Sequence, residues 1–149
     1  MKKLFIYYSF SGNGDIIKNQ LENKGYDIRK AIEKNRMPKS FFFSVLIGGF
    51  RAGISQKARL VDYDSDVSSY DEIIIGSPIW NGKLTPAINT VLKKTNLDGK
   101  KITFVLYSGS GNGKKAQKKI DKLFGESNII FLKEPKKYNE ELEKINGGY

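Results

Sequence analysis

A short apolar run, followed by small and aromatic residues, stands at the centre of this sequence. Residues 70–82 read Tyr-Asp-Glu-Ile-Ile-Ile-Gly-Ser-Pro-Ile-Trp-Asn-Gly. The run Ile73–Ile75 is continuous rather than alternating, which predicts a strand that is covered on both faces, as in a parallel sheet. The Gly, Pro and Asn-Gly that follow are typical of turns and loops. The segment therefore predicts a buried parallel strand with a loop at its carboxyl end.

Similar apolar runs lie on both sides of this segment and alternate with stretches of helical periodicity. The other predicted strands are Leu4–Tyr8, Tyr26–Ile32, Ile102–Tyr107 and Ile129–Leu132, and the polar residues of 26–32 suit an edge position. The predicted helices are Asn13–Lys24, Pro38–Phe50, Thr85–Thr95, Lys114–Phe124 and Asn139–Ile145. This alternation indicates an α/β fold, and right-handed crossovers place helices on both faces of one sheet. We predict a single domain over residues 1–149, three-layered and doubly wound, with five parallel strands in the order 2-1-3-4-5.

The composition excludes most side-chain chemistry, because the 149 residues include no cysteine and no histidine. Disulfides, Cys zinc sites, iron–sulfur clusters, Ser-His-Asp triads and His-ligated metals are therefore absent. The segment Asp62–Asp66 has the opening spacing of a calcium loop, but Val67 and Ile73 stand where that loop needs glycine and glutamate. No metal site is predicted, and any catalysis must use a bound cofactor, carboxylates or backbone groups.

The charge balance is strongly basic. Lys and Arg number 26 against 16 Asp and Glu, which gives a net charge of +10, and residues 34–60 contain six basic and no acidic side chains. Such an excess suits nucleic acid, an anionic membrane surface or an acidic protein, or is simply a Lys-rich solvated surface. Only 4 of the basic residues are Arg, the side chain that base and phosphate recognition favours, so no nucleic-acid partner is expected.

The longest apolar stretch outside the predicted strands is Phe41–Phe50. It is interrupted by Ser44, Gly48 and Gly49, and a membrane-spanning helix needs about 20 apolar residues. Its four-residue periodicity predicts a helix face in the core, with attachment to a membrane surface as the alternative. The N-terminus has no small-residue cleavage site after its apolar run. We expect a cytoplasmic protein without a transmembrane segment, a monomer by default.

Loops rich in Ser, Gly and Asn follow the first and fourth predicted strands. Residues 9–14 lead into a helix and offer hydroxyl and free N–H groups to a phosphate, although Ser11 or Asn13 capping the helix is an equal alternative. Asp15 places a like charge near that phosphate unless it points outward. Residues 108–114 fail the nucleotide P-loop pattern at both ends, and we interpret them as a flexible, ligand-facing loop of unspecified role.

The loop after the third predicted strand contains Trp80, the single tryptophan of the chain. An exposed indole at a strand end is suited to stack on a planar ligand, whereas an indole folded back on the domain is the alternative. The dipeptide Asn81-Gly82 is a strong turn signal that tolerates positive φ. Its peptide can therefore change orientation with little strain.

Three segments resemble, in the same order, those of the flavodoxin family: Tyr8–Asn13, residues 70–82, and Gly99-Lys100-Lys101 before a strand. The resemblance implies a flavodoxin-like fold, noncovalently bound FMN and one-electron transfer between redox partner proteins. It also implies that the first loop holds the phosphate, that Trp80 lies against the flavin ring, and that the Asn81-Gly82 peptide reorients on reduction. The candidate cofactor-binding residues are Ser9, Phe10, Ser11, Gly12, Asn13, Gly14, Pro78, Ile79, Trp80, Asn81, Gly82, Ser108, Gly109, Ser110 and Gly111.

The sequence departs from the family pattern in three respects. Gly14 stands where the family usually has threonine, which removes one hydroxyl from the phosphate site. The third loop lacks the tyrosine that usually covers the second flavin face, although Tyr107 ends the preceding strand. The chain is basic where flavodoxins are usually acidic, and a positive environment stabilises anionic reduced flavin. We therefore expect the bound flavin to have a less negative reduction potential than in acidic flavodoxins.

These observations leave three functions open. The first is an FMN-dependent electron carrier in which no side chain acts as acid or base, with the basic surface favouring an acidic redox partner. The second is an FMN-dependent NAD(P)H or quinone-type reductase that uses an open flavin face. The third is a flavin-free module whose basic 34–60 segment binds an anionic surface.

Overall fold

The computed structural model describes residues 1–35, 38, 40 and 57–147. In chain order these residues form β1 (Lys3–Tyr7), α1 (Asn13–Asn23), β2 (Asp27–Lys30), β3 (Glu72–Trp80), β4 (Lys83–Leu84), α2 (Pro86–Lys94), β5 (Lys101–Ser108), α3 (Lys114–Phe124), β6 (Asn128–Lys133), a 3-10 turn (Asn139–Leu142) and α4 (Glu143–Asn146). The predicted helix 38–50 lies, apart from residues 38 and 40, outside the described residues, and so does most of the basic 34–60 segment.

The sheet has the predicted topology. Parallel strands lie in the order β2-β1-β3-β5-β6, and the short β4 pairs only with the end of β3. Once β4 is set aside, this is the predicted order 2-1-3-4-5. The polar strand β2 occupies the edge next to β1, as its composition indicates.

Apolar residues on both faces of the central strands explain why helices cover the sheet on two sides. On one face, Ile73 and Ile75 pack in a core with Ile88 of α2 and Ile120 of α3. On the other face, the side chains of Phe5 and Ile74 share a core with residues of α1 and α4: Ile17, Leu21 and Ile145. The continuous run Ile73–Ile75 is buried as predicted, and the three-layer arrangement is confirmed.

The structure corrects one prediction at the end of β3. The segment expected to be a loop from Gly76 onward continues as strand to Trp80, because Ile79 and Trp80 pair with Leu84 and Lys83. The predicted turn at Asn81-Gly82 is confirmed: φ is 50° at Asn81 and 74° at Gly82. Positive φ at both residues is what a two-residue hairpin turn requires.

The C-terminal segment also follows the prediction, with a change in its first turn. The predicted helix 139–145 is a 3-10 turn over Asn139–Leu142 that continues into the short α4. No helix among the described residues is both long enough and apolar enough to cross a bilayer.

Candidate functional site

The loops that follow the parallel strands meet at one edge of the sheet, because parallel strands direct their carboxyl ends the same way. The backbone connects these loops directly. Tyr8 N–H donates to the Gly76 carbonyl at 3.1 Å, and Glu134 N–H donates to the Ser108 carbonyl at 3.1 Å. Ala116 N–H donates to the Gly82 carbonyl at 2.8 Å. The ends of β1, β3, β5 and β6 therefore form one continuous surface.

The first loop presents the N-terminus of α1 without a side-chain cap. Gly12 is the N-cap residue, with φ of 97°, and no side-chain hydrogen bond caps the helix. The alternative in which Ser11 or Asn13 caps α1 is therefore wrong, because Asn13 is already helical and its amide donates to Ser11 Oγ at 3.1 Å. An uncapped helix N-terminus attracts anions through its free N–H groups and the helix dipole.

Ser9 supplies the second feature of an anion site. The residue is 7% exposed, and its Oγ lies near the Asp15 carboxylate without forming a hydrogen bond of good geometry to any described residue. A buried hydroxyl without a partner costs about 1–3 kcal/mol. A ligand oxygen at the first loop would remove this cost, so the hydroxyl fits a phosphate group there.

Asp15 lies close to the Ser9 hydroxyl, and its charge is paired with that of a lysine. Its carboxylate lies 2.7 Å from Lys30 Nζ and accepts a hydrogen bond from Tyr7 Oη at 2.9 Å. Burial alone raises the pKa of Asp15, but the hydrogen bond from Lys30, together with the nearby hydroxyls, lowers it below its ordinary value. The like charge noted in the sequence is thus compensated.

The residues packed around position 14 leave space for glycine but not for a side chain. A Cβ at this buried position would lie 2.6 Å from Tyr107 Oη and 2.9 Å from Ser9 Cβ, closer than van der Waals contact allows. Tyr107 is fully buried and donates a hydrogen bond to the Tyr8 carbonyl. Burial raises the pKa of Tyr107, which keeps it a donor. The tyrosine at the end of β5 therefore packs beneath the first loop, where it cannot stack on a ligand.

Of the two alternatives for Trp80, the structure has the indole folded back on the domain, since the residue is 7% exposed. The ring packs edge-on against Tyr8 and Phe10, with centroid separations of 5.9 and 5.8 Å. The physical reason is the extension of β3, which makes Trp80 a strand residue whose side chain points to the core. A planar ligand would reach the indole face only after this aromatic cluster rearranges. Of its neighbours, Pro78 and Ile79 are half-buried, while Asn81 is exposed.

Hydrogen bonds of the Ser108 side chain, the first of the third loop, hold that loop together. Ser108 Oγ accepts from Gly111 N–H at 3.0 Å, donates to the Asn112 carbonyl at 3.1 Å and lies 3.3 Å from Ser110 Oγ. Gly109 and Ser110 are exposed, and no atom lies within 4 Å of a Cβ added to Gly109. The loop thus belongs to the same edge but offers no unpartnered hydroxyl comparable to that of Ser9.

Lys136 was missed by the sequence analysis. It lies in the turn after β6, and its N–H donates to Asn13 Oδ1 at 2.9 Å while its Nζ donates to the Ser11 carbonyl at 3.4 Å. A Cβ added to Gly12 would lie 3.3 Å from this Nζ. The rule that strand ends share one edge, extended to the last strand, would have identified this turn.

These features combine an anion site with an adjacent aromatic cluster. Backbone N–H groups, the Ser9 hydroxyl and the Lys136 ammonium converge near the first loop, and Tyr8, Phe10 and Trp80 lie beside it. A phosphate ester of a planar aromatic molecule matches this combination. Among the residues that the structure describes, no group of three or more carboxylates could hold a metal ion.

Comparisons with known proteins bear on the family and the fold of the chain. The sequence profile of a family described as flavodoxin matches residues 51–146. No curated protein matches the chain. A candidate flavoprotein from Bacteroides eggerthii is similar in structure, with a TM-score of 0.72 at 19% identity over 86% of this chain and 84% of that one.

Two further solved structures are similar over almost the whole chain. A flavoprotein in complex with FMN from Lactobacillus acidophilus has a TM-score of 0.58 at 19% identity, over 93% of this chain and 97% of that one. An azoreductase from Bacillus anthracis has a TM-score of 0.50 at 12% identity, over 99% of this chain and 95% of that one. At these identities the structural likenesses establish the fold.

Proposed function

The chain belongs to the flavodoxin family, whose cofactor is FMN. On that premise, we propose that it binds FMN at the carboxyl edge of its sheet. We also propose that it carries electrons one at a time between redox partner proteins. The observation that carries this proposal is the buried, unpartnered hydroxyl of Ser9 beside the uncapped N-terminus of α1. When bound, FMN supplies the redox chemistry, and the chain binds and orients it.

In this proposal the first loop holds the phosphate. Ser9 and Ser11 contribute hydroxyls, and the first turn of α1 contributes backbone N–H groups from Asn13 onward. Gly12 lets the backbone approach the phosphate closely, because it has no side chain and holds a left-handed φ of 97°. The Lys30–Asp15 pair keeps the one acidic residue of the first helical turn neutralised.

We propose that the ring of the cofactor binds at the surface between the first loop and the β3–β4 hairpin. Trp80 is the stacking residue, and the edge-on packing of Tyr8 and Phe10 defines the cluster that must open. Because the Gly82 carbonyl is already bonded to Ala116 N–H, the preceding Asn81–Gly82 peptide is the group left to reorient at the ring.

Lysines around the hairpin favour an acidic partner protein. Burial and the nearby charges of Lys57 and Lys83 lower the pKa of Lys119. An acidic surface docked here would relieve the repulsion among these three ammonium groups. Electron transfer to such a partner should slow as salt is added, whereas a salt-independent rate would count against an acidic partner.

A second candidate function is an FMN-dependent reductase that accepts hydride from NAD(P)H and reduces a small acceptor such as a quinone. The observation favouring it is the third loop, where Gly109 and Ser110 are exposed, while Tyr107 is buried beneath the first loop. No aromatic side chain of the third loop therefore covers the outer face of the ring.

One titration tests the proposal. FMN is added to the cofactor-free protein while quenching of flavin fluorescence is followed, and the complex is then reduced stepwise under EPR observation. Saturable quenching and a radical signal that accumulates support the electron carrier. Rapid bleaching by NADPH or NADH, without a radical, supports the reductase. Absence of quenching would overturn both, and binding to anionic vesicles would then test the flavin-free alternative.

A further inference from the structure

The turn after β6 is built to project one lysine over the first loop. Glu134 adopts a left-handed φ of 36°, its N–H is bonded to the Ser108 carbonyl, and its own carbonyl accepts the N–H groups of Lys137 and Tyr138 at 2.8 and 3.0 Å. Pro135 is buried, whereas Lys136 is exposed. The backbone of the turn is therefore fixed at both ends, and Lys136 extends from it.

A hydrogen bond from the backbone N–H of Lys136 fixes its position relative to the first loop, so the side-chain ammonium is not needed for this anchoring. Lys136 N–H donates to Asn13 Oδ1 at 2.9 Å, so the residue is anchored without its side chain. The ammonium reaches the Ser11 carbonyl only at 3.4 Å, a long contact that a stronger acceptor would replace. It also lies beside Gly12, the residue that precedes the free N–H groups of α1.

Neighbouring cations are engaged elsewhere. Lys30 lies 2.7 Å from Asp15, and the ammonium of Lys137 is 5.1 Å from the centre of the Tyr138 ring. Lys133 covers that ring as well, also at 5.1 Å. Among the described lysines near this edge, Lys136 is the one whose ammonium contacts the first loop.

We propose that Lys136 binds the phosphate of the cofactor and makes the site select FMN over riboflavin, an inference that rests on the function proposed above. Its ammonium leaves the Ser11 carbonyl and forms a charge-assisted hydrogen bond with a phosphate oxygen. This contact offsets the hydroxyl that is missing at Gly14, where Tyr107 leaves no space for a side chain.

The test compares FMN and riboflavin binding by the full chain and two variants. Lys136→Met keeps the backbone N–H that bonds Asn13 and removes only the charge. Lys137→Met is the matched control, because it makes the same change of charge at the next residue. Lys136→Met is expected to weaken FMN about tenfold or more, as loss of a charged hydrogen bond implies. Riboflavin affinity should be unchanged, and Lys137→Met should alter either affinity less than about twofold.

The outcomes separate this inference from the function on which it rests. FMN binding by Lys136→Met that equals the wild type overturns the inference alone. An equal loss of FMN and riboflavin affinity also overturns it, because the lysine would then act on the shape of the loop. If the wild type binds neither flavin, the proposed function fails and the inference fails with it. As a second readout, added salt should weaken FMN binding less in Lys136→Met than in the wild type.

Discussion

Two loops of this protein have almost the same sequence and different structures. Residues 9–14 read Ser-Phe-Ser-Gly-Asn-Gly and residues 108–113 read Ser-Gly-Ser-Gly-Asn-Gly, so they differ only at Phe10 and Gly109. Both follow a buried parallel strand and both precede a helix. The fourth residue is left-handed in each, with φ of 97° at Gly12 and 69° at Gly111.

The difference lies in what the first serine does and where the helix begins. Ser108 closes its own loop with bonds to Gly111 N–H and the Asn112 carbonyl, and α3 begins only after the motif. Ser9 Oγ lies near Asp15 but forms no hydrogen bond of good geometry to a described residue, and α1 begins inside the motif at Asn13. Both helices lack a side-chain cap, so what distinguishes the first motif is the serine hydroxyl that its loop leaves available, and we propose the anion site there for that reason.

The largest expected effect comes from making the two motifs identical. Phe10→Gly removes a side chain that is 7% exposed and packed against Trp80. Loss of this packing should lower the free energy of unfolding by about 4 kcal/mol and weaken FMN binding. Urea unfolding with and without FMN measures both quantities. The control Gly109→Ala, in open space, should change stability by less than about 0.5 kcal/mol. An equal effect of the two variants would contradict the role given to Phe10.

The last glycine of each motif provides the next comparison. Gly14→Ala places a Cβ 2.6 Å from Tyr107 Oη, whereas Gly113→Ala places one 3.2 Å from Ile79 Cγ1. We expect Gly14→Ala to lower stability by about 2 kcal/mol, because overpacking outweighs the gain in helix propensity. Gly113→Ala should cost less than about 1 kcal/mol, since the aliphatic side chain can adjust. Adding Tyr107→Phe to Gly14→Ala should recover part of the loss, and a strictly additive double variant would refute the contact.

The two first serines should show opposite effects on binding and stability. Ser9→Ala removes an unpartnered hydroxyl, so stability should hold or rise slightly while FMN affinity falls about fivefold, a loss of about 1 kcal/mol. Ser108→Ala removes the bonds that close the third loop, so stability should fall by about 1 kcal/mol while FMN affinity stays within about twofold. Fluorescence titration and urea unfolding of both variants provide the measurement. The distinction between the loops is lost if Ser9→Ala binds FMN normally.

The smallest expected effect is dependent on pH and concerns the residue that follows each motif, Asp15 or Lys114. The fold lowers the pKa of Asp15 below its unfolded value, near 3.8. The contribution of Asp15 to the free energy of unfolding is therefore fully present above pH 3.8. It is lost as the pH falls through the lower pKa of the folded protein. Because the carboxylate is 43% exposed, Asp15→Asn should cost less than about 1 kcal/mol at pH 7.

Urea unfolding at pH 7 and pH 3 tests this expectation. The difference between wild type and Asp15→Asn should shrink at pH 3, because protonation removes the charge that pairs with Lys30. The control Lys114→Gln removes no carboxylate and should keep the same difference from wild type at both pH values. A difference for Asp15→Asn that does not change with pH would show that the Lys30 pair is not its source.

Much of the fold was predictable because it depends on local patterns. The apolar runs of β1, β3 and β5 identify buried parallel strands, and their spacing leaves room for crossover helices. Asn81-Gly82 identifies a turn because it is a dipeptide with a specific backbone requirement. These signals lie within a few residues of the structure they predict.

The parts that sequence reasoning missed depend on contacts between distant residues. The burial of Trp80 follows from the pairing of β3 with β4, a strand of 2 residues that is too short to give a periodic signal. The need for glycine at position 14 comes from Tyr107, on another strand. Lys136 reaches Asn13 across a separation of 123 residues. None of these contacts has a local pattern from which it could be predicted.

The bond between Asn13 and Lys136 also bears on the order of events during biosynthesis. A ribosome releases the chain N-terminus first, at about 5–20 residues per second, so the partner of Asn13 emerges roughly 6–25 seconds after it. Throughout that interval the nascent first loop has neither the amide nor the ammonium that Lys136 brings. If Lys136 binds the cofactor phosphate as proposed, a chain stalled on the ribosome before residue 136 would lack that contact, and the complete phosphate site would form only near the end of translation.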